Sequence, residues 1–476
     1  MPEYDAIIIG SGPNGLSAAV ALAQEGASVL VLEARDTPGG GARTAELTLP
    51  GFHYDVCSAI HPTAVASPFF NSLPLAEHGL EFIHPEIPLA HPLDGGDCAA
   101  MYQSLEQTAA ALGEDAQAYR KLFRGLLKNA DALFEQLLAP PLRLPKTPFA
   151  MTGFGVKAMR SASGLATSYF KSDAARALFA GNAAHSSMPL GSPFTAAIGL
   201  VIMLSGHRYG WPVAKGGSAS IIRALCGLLE SLGGKVECGR AVTDLAELPS
   251  ASTYLFDTSP RALATIAADR LPPKYLKSLD RFRYGPGIFK ADYALSEPIP
   301  WTAEACRKAG TVHVGGTLGE IEEAERATWG RRLHRAPFIL VAQQSLCDPS
   351  RAPQGKHTAW VYAHVPSGTD GDMSEILEAQ MERFAPGFKD CILAKHVMDC
   401  SAMEAYNANY IGGDIAGGAN SWRQVFLRPT ARLNPYTTPA DDLFLCSAST
   451  PPGGGVHGMC GYHAAQAALK RLAAPS

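Results

Sequence analysis

The sequence predicts an α/β fold. Three observations carry this expectation. Residues 6–9, Ala-Ile-Ile-Ile, form a short apolar, β-branched run. The glycine-punctuated turn Gly10-Ser11-Gly12-Pro13-Asn14-Gly15 follows it directly. Residues 28–32, Ser-Val-Leu-Val-Leu, then make a second apolar run that ends on the acidic Glu33.

Uninterrupted apolar runs suit strands buried on both faces of a parallel sheet. Between them, the Ala- and Leu-rich residues 16–24 read as a helix stopped at Gly26. A G-x-G-x-x-G between a strand and a helix, with an acid closing the next strand, is a dinucleotide-binding pattern. Gly10 allows the tight turn, Gly12 lets the backbone approach a pyrophosphate, and Gly15 lets the helix pack on the sheet. Pro13 and Asn14 lie in the first turn, where free N–H groups and the positive end of the helix dipole face the anion. Glu33 can accept from a ribose diol and repels a 2′-phosphate. A plain surface turn would explain any one of these features, but not all of them in register.

Composition bounds the rest. The 476 residues carry 40 Lys plus Arg and 44 Asp plus Glu, a net charge of −4, with 47% hydrophobic and 18% charged residues. That balance suits two or three globular domains and excludes a disordered chain. It gives nucleic acid no electrostatic foothold. Ten scattered cysteines include no C-x-x-C pair, which points to reduced thiols and a cytoplasmic setting. No H-x-x-x-H or H-E-x-x-H spacing occurs among 14 histidines, so no metal site is expected. The acidic start, Met1-Pro2-Glu3-Tyr4-Asp5, does not read as a signal peptide. The apolar run at 194–204 is shorter than the ~20 residues a membrane span needs and reads as a core or membrane-surface helix.

Two further glycine clusters extend the pattern. Ala34-Arg35-Asp36-Thr37-Pro38-Gly39-Gly40-Gly41-Ala42-Arg43 continues from Glu33. Near the other end, residues 442–447 read as a strand, followed by Pro451-Pro452-Gly453-Gly454-Gly455-Val456-His457-Gly458 and an Ala-rich helix over 459–472. Strand, glycine loop and helix again build an anion site from backbone N–H groups. In the middle, Gly216-Gly217-Ser218 starts a helix through Leu232, and residues 236–242 and 253–256 read as strands. Gly315-Gly316 and Gly412-Gly413 are expected to lack a following amphipathic helix, so no second dinucleotide domain is predicted.

With these motifs stand Cys57-Ser58-Ala59-Ile60-His61-Pro62, Lys215-Gly216-Gly217-Ser218 and Tyr410-Ile411-Gly412-Gly413-Asp414-Ile415. Together they resemble the phytoene desaturase-like FAD-dependent oxidoreductases, including members named for a pyridine-nucleotide-disulfide-oxidoreductase domain. The resemblance implies a Rossmann-type FAD-binding domain, with FAD held non-covalently, interleaved with an α+β substrate domain. It assigns residues 1–72, 213–280 and 428–476 to the FAD domain. The mostly helical 73–212 and the mixed 281–427 then form the substrate domain.

By resemblance, Gly40, Gly41, Ala42 and Arg43 run along the pyrophosphate and ribityl chain, next to Ala34 and Arg35. Ala241 and Val242 meet the adenine, and Thr258 lies near the phosphates. Ser58 and Ala59 cover the ring, and Ser447, Gly455, Val456 and His457 close its pyrimidine edge. His457 and His61 are the candidate catalytic bases. The arrangement Arg-after-glycine-pair departs from the usual form here, because Gly41 holds that place and Arg43 comes two later. The absence of a C-x-x-x-x-C pair argues against redox-disulfide chemistry.

The leading expectation is an FAD-dependent oxidoreductase acting on C–C bonds of an apolar, carotenoid- or lipid-like substrate by hydride transfer to flavin N5. Desaturation, saturation and flavin-assisted isomerisation all fit. Oxygen, a quinone or another acceptor would take the electrons. An amine oxidase acting on a C–N bond and a non-catalytic flavin-bearing binding protein are the alternatives. Peripheral membrane contact and self-association into a homo-oligomer are compatible with these features.

Overall fold

The computed structural model describes residues 2–141 and 144–473. The expected Pro-rich break at 140–148 includes Leu142 and Arg143, which lie outside the described residues.

The opening apolar run extends to a strand over Tyr4–Ile9, at the centre of a five-stranded parallel sheet. It pairs on one side with Ala251–Phe256 and on the other with Val29–Leu32; Leu443–Leu445 and Lys235–Glu237 form the edges. The strands therefore come from residues 4–32, 235–256 and 443–445, far apart in sequence. The opening helix spans Pro13–Gln24 with Gly12 at its cap and Pro13, which needs no N–H donor, in the first turn. Its buried face meets the helices Ala219–Ser231 and Met459–Leu472. A Cβ on Gly461 would overlap the carbonyl oxygen of Asn14, so glycine there allows the opening and closing helices to pack close. The other sheet face is covered by Pro260–Ile266 and Pro273–Asp280, through Leu263 and Leu279 against Ile9, Phe256 and Leu445.

A seven-stranded mixed sheet forms the second layer, in the order Ile392–Met398, Gly287–Leu295, His357–Val365, Ile339–Ala342, Ala309–Val314, Ile87–Pro92 and Cys98–Met101. One face packs on the helix Ser374–Phe384 through Leu377 and Met381. The helices Asp173–Ala184 and Thr195–Tyr209 belong to the core on the other face. Among the described residues, no helix is long and apolar enough to cross a membrane.

Two expectations fail. The strand expected over 236–242 ends at Glu237. Its partner strand stops at Leu32, and the Glu33 carbonyl then takes the Arg240 N–H, pulling the chain out of the sheet. Gly315-Gly316 is followed by a helix, Leu318–Trp329. It is no second dinucleotide site. Thr317 and Glu320 form a capping box, so the protein's own side chains take the free N–H groups an anion would need.

Candidate functional site

A cavity of about 600 Å³ runs along the C-terminal end of the parallel sheet. Its size lies within the ~300–1,000 Å³ usual for ligand sites, and it sits where open α/β sheets bind ligands. Three glycine loops and the Ala241–Val242 segment meet on it, the first two loops close in sequence and the others hundreds of residues away.

The opening loop supplies Gly10, Ser11, Gly12, Pro13 and Asn14 to the wall. Gly10 has φ +102°, a conformation that favours glycine. Gly15 is off the wall: a Cβ there would overlap the Gly10 carbonyl oxygen, so its role is packing. The second cluster rests on the first, since a Cβ on Gly40 would stand 3.0 Å from the Gly12 Cα. Gly40, Gly41 and Arg43 line the cavity with Ala34 and Arg35, whereas Ala42 is buried behind it.

Glu33 sits on the wall, almost fully buried. Its Oε2 accepts from the Ser11 N–H at 3.1 Å and the Ser11 hydroxyl at 2.5 Å. Its Oε1 accepts from the Arg35 N–H at 2.9 Å and Arg43 Nη2 at 3.1 Å. The same guanidinium donates to the carbonyls of Thr37 and Gly40 and lies 5.6 Å from the Tyr406 ring centroid. Arg43 therefore holds the second cluster against Glu33.

Ala241, Val242 and Arg240 line one end, beside Glu33; Ser447, Gly455 and Val456 line another stretch with Cys57 and Ser58. Thr258 is on the wall, while Ala59 is buried outside it. Burial pushes the Cys57 thiol up to about 11, which keeps it protonated and un-nucleophilic at neutral pH.

Neither candidate base lines the cavity. The Ser218 hydroxyl donates to the Ser58 carbonyl at 2.5 Å, so His61 Nε2, 2.8 Å away, is the donor in its bond to Ser218. His61 thus braces the segment that carries Ser58. Ser218 is fixed in turn by its N–H to Asp55 at 2.7 Å, and Asp55 is ion-paired with Arg351 at 2.8 Å. His457 Nδ1 accepts from the Met459 N–H at 3.0 Å, which ties it to the first residue of the closing helix. Burial lowers both imidazoles to about 4, so both are neutral at pH 7.

Among the lining residues not singled out as site residues from the sequence are Asp257, Tyr406, Asn409 and Tyr410. Asp257 Oδ2 accepts the Gly15 N–H at 2.9 Å, beneath the opening loop. Asn409 Oδ1 accepts the Ser259 N–H, and the Tyr406 hydroxyl donates to the Gly40 carbonyl. A Cβ on Gly41 would overlap the Tyr410 hydroxyl. Only the glycines of Tyr410-Ile411-Gly412-Gly413 hinted at this wall from sequence.

The donor set fits a dinucleotide with an attached ring system. Backbone N–H groups at the end of the opening helix suit a pyrophosphate, and Glu33 suits a ribose diol. The remaining wall, through Cys57, Ser58 and the Gly455–Val456 loop, provides room beyond the dinucleotide. The fold and site define an oxidoreductase of the dinucleotide-binding type.

Comparison with known proteins gives the same class. Residues 8–73 match the family described as NAD(P)-binding Rossmann-like domain. The chain is similar to pyridine nucleotide-disulfide oxidoreductase domain-containing protein 2 of Rattus norvegicus, 25% identical over 99% of this chain and 94% of that one. It is 22% identical to the lycopene-forming phytoene desaturase of Pseudescherichia vulneris, over 97% of this chain and 98% of that protein. In fold it resembles cyclohexylamine oxidase from Brevibacterium oxydans, with a TM-score of 0.60 at 16% identity over 99% of both chains. The phytoene desaturase-like resemblance read from the motifs therefore extends along nearly the whole chain.

Proposed function

We propose that the chain binds FAD non-covalently and acts as an oxidoreductase on C–C bonds of an apolar, carotenoid- or lipid-like substrate. The observation that carries this reading is the single cavity on which both fingerprint clusters and the closing glycine loop converge. The resemblance to a phytoene desaturase over 97% of the chain supports the substrate class.

When bound, the flavin supplies the hydride-accepting chemistry. The protein's part is placement. N–H groups of the opening loop bind the pyrophosphate, and Glu33 orients the adenosine ribose. The wall formed by Cys57, Ser58 and the Gly455–Val456 loop excludes water from the ring end. The neutral Cys57 adds no charge to that wall. No histidine among the described residues lines the cavity to take a proton lost from the substrate. The electron acceptor would be oxygen, a quinone or a similar compound. The exposed Leu144, Phe149, Trp422 and Phe426 support peripheral contact with a membrane from which an apolar substrate could be drawn.

The similarity to an amine oxidase supports a second reading, oxidation of a C–N bond. An amine site often uses an aromatic pair flanking the amine. The aromatic pair on this wall is Tyr406 and Tyr410, with ring centroids 6.5 Å apart. Tyr406 is tied to the Gly40 carbonyl and lies by Arg43, at the second fingerprint cluster, which favours the C–C reading.

The test has two parts. Acid precipitation of the purified protein should release FAD into the supernatant, identified by mass. Anaerobic incubation with polyene hydrocarbons, and separately with aliphatic amines, should bleach the visible flavin band with the polyenes. Bleaching with amines alone would replace this reading with the second, and colour retained in the acid pellet would reject non-covalent binding.

A further inference from the structure

Asp257 follows the strand Ala251–Phe256 and carries a buried carboxyl into the underside of the opening glycine loop. Its Oδ2 is 2.9 Å from the Gly15 N–H, in the first turn of the opening helix. A Cβ on Gly12 would stand 2.5 Å from the same oxygen, so the carboxyl fills the space directly beneath the loop. The helix end that should receive a cofactor pyrophosphate therefore already faces a side chain able to carry negative charge.

We propose that Asp257 couples cofactor binding to a proton: the dinucleotide seats fully only on the neutral carboxyl, and binding takes up a proton at this side chain. The inference rests on the FAD reading of the site. Two anions on one helix N-terminus divide a favourable interaction and repel each other. A neutral carboxyl avoids that conflict. Its carbonyl oxygen still accepts the Gly15 N–H, so the loop keeps its shape.

The surroundings of Asp257 offer no compensating cation. Glu33, which follows the strand Val29–Leu32 on the far side of the central strand, adds like charge. The Cys446 thiol beyond the edge strand and the Cys460 thiol on the closing helix are pushed up by burial, with Asp257 adding to the effect, and stay neutral. Arg43 is committed to Glu33, and the charge of Arg428 acts on Cys460 and on Asp414. Asn409 contributes an amide to the Asp257 backbone carbonyl, at 3.5 Å. Against this, the Gly15 and Gly12 amides favour the carboxylate. Burial outweighs them and, with Glu33, raises the carboxyl to about 7, which brings both protonation states within reach near neutral pH.

The experiment titrates the full chain, stripped of its flavin, with FAD between pH 6 and pH 8. The wild-type dissociation constant should rise about tenfold across that range, following the ionised fraction of one group centred near 7. Calorimetry in two buffers of different ionisation enthalpy should report uptake of about 0.9 proton per FAD at pH 8. Asp257→Asn keeps the acceptor for Gly15 without the charge. Its affinity should be flat with pH and about tenfold tighter than wild type at pH 8. A flat wild-type profile with no proton uptake overturns the inference and leaves the FAD reading standing. The wild-type slope persisting in Asp257→Asn overturns it as well, because another group would then be titrating. FAD binding at no pH overturns both. If Asp257→Asn does not fold, the wild-type calorimetry alone decides.

Discussion

Arg43 stands 3.1 Å from Glu33, ten residues back along the chain, with the pair almost fully buried at the lip of the opening glycine loop. The guanidinium also holds the carbonyls of Thr37 and Gly40. Both fingerprint clusters are thus fastened through one carboxylate, whose four acceptor positions are already filled by Ser11, Arg35 and Arg43. A ribose diol must share or displace the Ser11 hydroxyl.

Glu33→Ala should therefore weaken FAD binding by about 1–3 kcal/mol, through lost charge-assisted bonds and a loosened loop. Arg43→Gln should weaken it by a similar amount by releasing Glu33. The double variant should lose less than the sum, because both changes break one unit. Calorimetric titration of the four proteins checks this. Additive losses would show that Arg43 acts on the cofactor independently of Glu33.

Gly41 and Tyr410 give a second, sharper case. A methyl group at 41 would overlap the Tyr410 hydroxyl, yet would stand 3.4 Å from the ring carbon bearing it, an ordinary contact. Gly41→Ala should displace Tyr410, lowering flavin content and costing about 1–3 kcal/mol of stability. Gly41→Ala in a Tyr410→Phe background should recover most of both, since the clashing oxygen is gone. Flavin-to-protein absorbance ratios and thermal melts would show it. Failure of Tyr410→Phe to rescue would mean that Gly41 is needed for its backbone instead.

The parts of the site legible in the sequence are those built from contiguous residues. The strand, turn, helix and strand of residues 4–32 follow from hydrophobic runs and glycine spacing, and the closing helix falls on Met459–Leu472 as its composition suggests. Interleaving of the sheet strands is not local, and only the family resemblance pointed to it. Asp257 and Tyr410 serve loops more than 200 residues away, and only their neighbours, Thr258 by resemblance and the glycines after Tyr410, point toward the cavity. The helix after Gly315-Gly316 has a sequence-readable start, the Thr317-x-x-Glu320 capping box, but no clean apolar stripe to mark it as amphipathic. Ala241 and Val242 line the cavity although the strand expected to carry them ends at Glu237, because the Arg240 N–H bond to Glu33 delivers them there.

His61 and His457 lie behind the wall, braced to Ser218 and to the Met459 N–H. Replacing either with Ala should leave the rate of flavin reduction by the true substrate within a few-fold of wild type. General-base help would be worth about 10²–10⁴-fold, so a loss of that size in rapid-reaction traces would reinstate that histidine as the base. His457→Ala should instead lower stability by about 1 kcal/mol, the order of one lost hydrogen bond, visible as an earlier melt.

Acid should unfold this protein through its buried histidines. Burial lowers His61, His91, His207 and His457 to about 4 and His185 to about 3, and lowers His313 strongly. An unfolded histidine titrates near 6.5, so between about 6.5 and 4 the unfolded chain binds more protons than the folded one. Stability therefore falls as pH falls through that window, by up to about 1.4 kcal/mol per pH unit for each histidine. Asp257 and Asp414 oppose this, because their raised values give stability that is present at low pH and lost as pH rises. Six histidines against two carboxyls set the net sign. Asp55, held down by Arg351 and Ser218 in spite of its burial, adds a further loss only below the usual carboxylate range. Urea midpoints at saturating FAD should therefore drop steadily from pH 6 to pH 4.5, where Asp257 is mostly protonated and cofactor affinity changes little. His61→Asn, whose amide can still donate to Ser218, should show a shallower slope by one histidine's share. A midpoint that holds constant or rises toward pH 4.5 would mean that these imidazoles reach water in the folded protein.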